Sequence, residues 1–171
     1  MIMKKRICQG MLMLLIVGTM LAGCASVPVP MTSRDLPSLK GRWVGRTIFG
    51  SLESAAGGET QTELEIYGET LPIEGRVTFL ALPSRIWNDL PPGIQSGPTG
   101  QGAVVPFKNG RLSDKGSLVL TSGDNSLTLY LFNDGGKLKL VGTIVLQPAV
   151  SGKPIIKPLI QGDVSLTKNK E

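Results

Sequence analysis

Beyond residue 40 apolar and polar side chains alternate with a period of two, the pattern of strands that bury one face. In LTLYLF (127–132), Leu127, Leu129 and Leu131 share one face, opposite Thr128, Tyr130 and Phe132. In KLKLVGTIVL (137–146), Leu138, Leu140, Gly142, Ile144 and Leu146 oppose Lys139, Val141, Thr143 and Val145. TELEIY sets Leu64 and Ile66 against Glu63 and Glu65; GRVTFLAL sets Val77 and Phe79 against Arg76 and Thr78; DVSLT sets Val164 and Leu166 against Asp163 and Ser165. The pattern predicts eight strands, at 42–49, 60–67, 73–82, 103–107, 117–121, 126–133, 137–146 and 160–167. This part of the chain holds no sustained helical spacing.

The links between these runs agree with strand pairing. SGDNS (122–126) and NDGGK (133–137) supply the Gly, Asn and Asp residues that hairpin turns need. Asn109-Gly110 reads as a further turn, and Pro106 marks 103–107 as an edge or bent strand. Short links favour an antiparallel meander. The expected fold is all-β, a meander of about eight strands closed as an up-and-down barrel, with a two-sheet sandwich as the alternative. Closure removes the strand edges, and an eight-stranded barrel can hold one small ligand.

Two links exceed hairpin length. The 84–102 link contains Ile86, Trp87, Leu90 and Ile94 among its Gly and Pro residues; the 147–162 link contains Ile155, Ile156, Leu159 and Ile160. Their apolar content speaks against plain disorder. The expectation is that they fold over one barrel end and plug it, with ligand binding there as the functional reading.

The first residues follow a different plan. Lys4, Lys5 and Arg6 precede an apolar run from Met11 to Ala22, then small residues and Cys24. That is the layout of a secretory signal, and the run falls short of the roughly 20 residues a spanning helix needs. Leu21-Ala22-Gly23-Cys24 resembles the lipobox of bacterial lipoproteins. The resemblance implies cleavage before Cys24, acylation of its sulfur and acylation of the new amino terminus. Two or three such chains hold a protein firmly in a bilayer. In Gram-negative members of that family Asp after the cysteine often retains the protein in the inner membrane. Ala25 stands there, so the resemblance favours the outer membrane, with the domain facing the periplasm. The implied division is a signal peptide at 1–23, a lipid-anchored Pro-rich tether at 24–39 and one barrel domain at 40–171.

Processing at Cys24 would leave 148 of the 171 residues, an ordinary size for one domain. The signal holds three of the 18 Lys and Arg residues and none of the 13 acids, so the remainder carries +2. No basic cluster interleaved with aromatics survives in it, which argues against nucleic acid. Cys8 would be lost with the signal, excluding a disulfide within one mature chain. The chain has no histidine. The commonest general base, the commonest metal ligand and the usual triads are thereby removed. With no phosphate-loop, dinucleotide or nucleophile-elbow motif either, the expectation is a non-enzyme without cofactor or metal.

Three aromatic residues are candidates for ligand lining or a lid. Gly41-Arg42-Trp43 resembles the Gly-x-Trp that opens the first strand of lipocalins and lipocalin-like barrels. In that family the tryptophan packs across the closed barrel end, beneath a basic residue from near the last strand. The sequence alone does not assign that basic residue, and the family's Thr-Asp-Tyr element is absent. Phe79 points inward by parity, and Trp87 stands in a polar, Pro-rich link as a lid, a partner anchor, a membrane-surface contact or an outer cap of the core. Gly45 and Gly142 are small inward residues that could leave room for a ligand. Glu63 and Glu65 form a conceivable acid/base pair, although a solvated outer face accounts for them better. The resulting expectation is an outer-membrane lipoprotein whose periplasmic, lipocalin-like barrel binds a small apolar ligand or an envelope protein. The alternative is a structural or assembly lipoprotein with a filled core and no ligand.

Overall fold

The computed structural model describes residues 27–50, 58–82, 86, 94–96, 102–147 and 160–169. Cys24, Trp87 and most of the two long links lie outside them. The strands are β1 (Gly41–Gly50), β2 (Gly58–Ile66), β3 (Ile73–Phe79), β4 (Gln95–Ser96), β5 (Ala103–Leu112), β6 (Leu118–Ser122), β7 (Asn125–Asp134), β8 (Lys137–Leu146) and β9 (Ile160–Lys168). One short helix, α1 (Leu36–Leu39), precedes β1.

Every pairing is antiparallel, and chain neighbours are sheet neighbours from β5 to β9 and from β1 to β3. Two further pairings, β1 with β9 and β3 with β5, join these halves into a closed barrel of eight strands. β4 lies outside the ring and pairs only with the start of β5, Gln95 opposite Val104 and Ser96 opposite Ala103. The two tight hairpins turn where the Gly residues predicted them, with φ of 58° at Gly123 and 57° and 83° at Gly135 and Gly136. Left-handed backbone of this kind costs glycine nothing.

Parity is realised throughout. Leu127, Leu129, Leu140, Ile144, Leu146, Leu64 and Phe79 are each fully buried inside the barrel, and Val77, Val164 and Leu166 nearly so. Burying one such side chain contributes about 1.5–3 kcal/mol. Leu129→Ala should therefore cost about 2–5 kcal/mol, while Thr128→Ala, on the half-buried outer face of the same strand, should cost under about 1 kcal/mol. Urea unfolding of both variants checks the assignment; equal costs would contradict it.

Two sequence expectations need correction. Asn109-Gly110 does not turn the chain. Asn109 takes a φ of 56° inside β5, at a bulge where the register with β6 shifts between Lys108 and Arg111. The reversal follows at Ser113–Ser117, tied by hydroxyl and backbone hydrogen bonds between those two serines. Pro106 is tolerated because β4 pairs at 103–104 and β6 only from Lys108, so the proline falls in the interval between them. The tether at 24–39 is also corrected. From Val29 onward the chain is docked, with Val29 N–H donating to Leu131 O and Met31 N–H to Gly116 O, both at 2.8 Å. Met31, Leu36 and Leu39 are buried, so the packed domain begins near Val29 rather than at residue 40.

Candidate functional site

The barrel has two unlike ends. At one end lie the first residues of β1, the last of β9, the β2–β3, β5–β6 and β7–β8 links, and α1. At the other emerge the three long connections, 51–57, 80–102 and 147–159, beside the tight β6–β7 turn.

The first end is closed by a built arrangement. LPSL places Leu36 and Leu39 three apart, on one side of a single helical turn, with Pro37 in its opening turn. Both leucines are buried against the barrel core. Trp43 sits on them with no exposed surface, its indole N–H donating to Leu39 O at 2.7 Å. Lys168, at the end of β9, holds its ammonium 5.8 Å from the Trp43 ring centre and donates to Ser38 O at 2.5 Å. A cation over an indole face is attracted by the ring quadrupole. Ahead of the helix, Asp35 accepts from the backbone N–H and the hydroxyl of Thr32. Those two hydrogen bonds, the backbone one first, hold its carboxyl below the usual range. The basic residue that stands over Trp43 in this structure is Lys168. Its signal was parity, since Val164, Leu166 and Lys168 continue one inward series.

Nearer the other end, Phe79 meets Phe49 edge to face with ring centres 5.5 Å apart. Beside them Thr47, Thr60 and Thr62 are buried. Thr62 donates to the Thr47 hydroxyl at 2.8 Å, and Ala81 N–H donates to the Thr60 hydroxyl at 3.3 Å. This polar ladder inside an apolar barrel has no antecedent in the sequence reading. Leu82 is buried, and Ile86 and Ile94 pack on the core from the 80–102 link. The rest of this link and most of the 147–162 link, on which the plug expectation falls, lie outside the described residues.

Trp43 and Phe79 are accordingly not brought to one another. Trp43 is engaged by Leu39 and Lys168 and Phe79 by Phe49; both are fully buried. Gly45 and Gly142 do not open a cavity either. A Cβ on Gly142 would stand 1.8 Å from Thr128 O, and one on Gly45 would stand 2.0 Å from Ser165 O. Both positions let neighbouring strand backbones come closer than any side chain permits, which is how small barrels bend their strands.

The outer face of β1, β2 and β3 carries a ladder of opposite charges. Arg42 pairs with Glu63, Arg46 with Glu59, and Arg76 with Glu65. Glu63 and Glu65 are therefore ion-paired, each to a different arginine, rather than paired with one another for acid/base work. A shallow groove of about 410 Å³ crosses β1 at Gly45, between Arg46, Glu59, Gln61, Ser165 and Thr167. A second of about 270 Å³ lies among the Arg42, Glu63, Glu65 and Arg76 side chains. Exposed ion pairs contribute little stability, with a median of about 0–1 kcal/mol. Among the described residues no group of three His, Cys, Asp or Glu side chains could hold a metal ion, and no helix is long and apolar enough to cross a membrane. Protein-family models, curated proteins and solved structures were each searched, and none matches this chain.

Proposed function

We propose that this chain is a lipoprotein of the bacterial outer membrane, acylated at Cys24, whose lipocalin-like barrel is a non-enzymatic scaffold for a protein of the envelope. The single observation that supports a scaffold is the filled interior. Trp43, Phe49, Phe79, Phe107 and the inward leucines of β6, β7 and β8 lie at 0–1% exposure, apart from Leu131 at 5% and the partly buried Leu138 at the closed end. A barrel packed in this way offers partners its outer face and its loops. Trp43 beneath Lys168, with α1 across the end, supports the lipocalin-like part of the reading.

A second reading is favoured by the Thr47–Thr60–Thr62 ladder next to Phe49 and Phe79. Polar groups beside aromatic rings near a barrel mouth suit an amphipathic small molecule. Titrating the protein with fatty acids while following tryptophan fluorescence decides between the two. The scaffold reading expects no saturable change at micromolar probe. A saturable change that Trp87→Ala abolishes, with the strand spectrum intact, would replace it with the carrier reading.

A further inference from the structure

We propose that the closed end of the barrel lies against the phospholipid surface in which the chain is anchored, and that the long connections point away from it. The inference rests on acylation at Cys24 and adds a contact surface and an orientation to that reading.

The path of the chain carries the argument. Val29 is antiparallel to β7 at Leu131, so the segment read back towards Val27 runs in the direction of the β7–β8 turn, at the rim of the closed end. Five residue steps separate Val29 from Cys24. A fully extended chain covers at most about 3.6 Å per residue, so Cys24 can lie no further than about 18 Å from Val29, measured between Cα atoms. The Ser122–Asn125 turn lies at the opposite end of β7, whose ten residues span about 33 Å.

The distribution of exposed apolar side chains is an independent observation. Among the described residues five large apolar side chains are exposed: Val27, Val29, Ile48, Tyr67 and Leu71. All but Ile48 are at the closed end, Tyr67 and Leu71 in the β2–β3 link and the two valines on the entering segment. Tyrosine, with an apolar ring and a polar tip, suits the headgroup level of a bilayer. Around them stand Lys115 and Lys137, cations that an anionic phospholipid surface attracts, together with Lys40, which is ion-paired with Glu69 of the β2–β3 link. A lipid surface explains why the exposed apolar side chains gather on the rim that the path of the chain brings nearest to Cys24.

The test uses acylated protein purified from membranes, in which Cys24 has no free thiol. Leu71→Cys and Asp124→Cys, both at exposed positions, are labelled separately with a thiol-reactive fluorophore and placed in phosphatidylethanolamine/phosphatidylglycerol vesicles containing a headgroup nitroxide lipid. Quenching at residue 71 is expected to exceed that at residue 124 at least threefold. Equal quenching, the outcome also of a closed end reserved for a protein partner, or stronger quenching at 124 overturns the inference. Fatty-acid labelling of the same preparations is read separately. Labelled protein with equal quenching refutes the orientation alone, whereas unlabelled protein refutes the anchor and the orientation with it.

Discussion

Trp43→Ala should destabilise the domain by about 4–8 kcal/mol, against the 5–15 kcal/mol a domain of this kind possesses. The side chain is fully buried, and truncating a buried tryptophan typically costs about 3–5 kcal/mol in lost transfer energy and cavity. Its indole N–H is also the hydrogen-bond donor to Leu39 O. Removing it leaves a carbonyl in buried surroundings without that donor, a further cost of about 1–3 kcal/mol. Lys168→Met isolates the smaller part. It removes the cation over the ring and the hydrogen bond to Ser38 O, for about 1–2 kcal/mol. Urea unfolding followed by far-ultraviolet circular dichroism measures both, with the exposed-site change Gln161→Ala as control. If Trp43→Ala costs no more than the control, the closed end is not built as described.

Gly142→Ala should be almost as damaging, although it adds a single methyl group. Gly142 sits in the middle of β8, opposite Leu129 on β7 and Val164 on β9. The new Cβ would fall 1.8 Å from Thr128 O and 2.9 Å from Leu129 Cα, both backbone atoms of the strand hydrogen-bonded beside it. Side-chain overpacking costs about 1–3 kcal/mol when neighbours can rotate away. A paired strand cannot, so the cost should reach about 3 kcal/mol or more, through local loss of the β7–β8 ladder. Gly50→Ala is the matched control, because nothing lies within 4 Å of its added Cβ. It should change stability by less than about 0.5 kcal/mol. Similar losses at the two glycines would contradict the close strand approach at Gly142.

These two residues show what could be read from the sequence. The inward faces of β2, β3, β7, β8 and β9 were legible, because period-two alternation is imposed directly by the pleat and by burial, whereas that of β5 was not assigned. The barrel followed from the strand count and the short links. What Gly142 and Gly45 do was not legible. Parity places a glycine inward but cannot tell an empty space from a neighbouring backbone. Asn109-Gly110 was read correctly as a place for left-handed backbone and wrongly as a reversal, since a bulge and a turn ask for the same residues. Around Val29 the Pro-rich composition reads as a tether, since proline cannot donate to a ladder. Alternation defeats that argument: with Pro28 and Pro30 on either side, Val29 alone faces β7 with an N–H to give. The threonine ladder was hidden for another reason. Thr47, Thr60 and Thr62 fit a solvated face as well as a buried one, and only their hydroxyl bonding makes burial tolerable.

The candidate site was legible only at its fixed end. Trp43 was placed on the inward face of β1, and Lys168 lay one step further along the inward series of β9. Phe79 was placed on the inward face, but its partner Phe49 comes from a strand 30 residues away in sequence, a proximity that no local pattern encodes.

The anchor at Cys24 underlies the whole functional account, and the mass of the mature protein tests it most directly. Protein extracted from the membrane fraction with detergent should begin at Cys24 and carry the added mass of a diacylglyceryl group and a third acyl chain. Cys24→Ala should abolish that mass, block cleavage by the lipoprotein route and release the protein from the membrane fraction. A wild-type chain that begins at any other residue, or begins at Cys24 without acyl chains, would contradict the account.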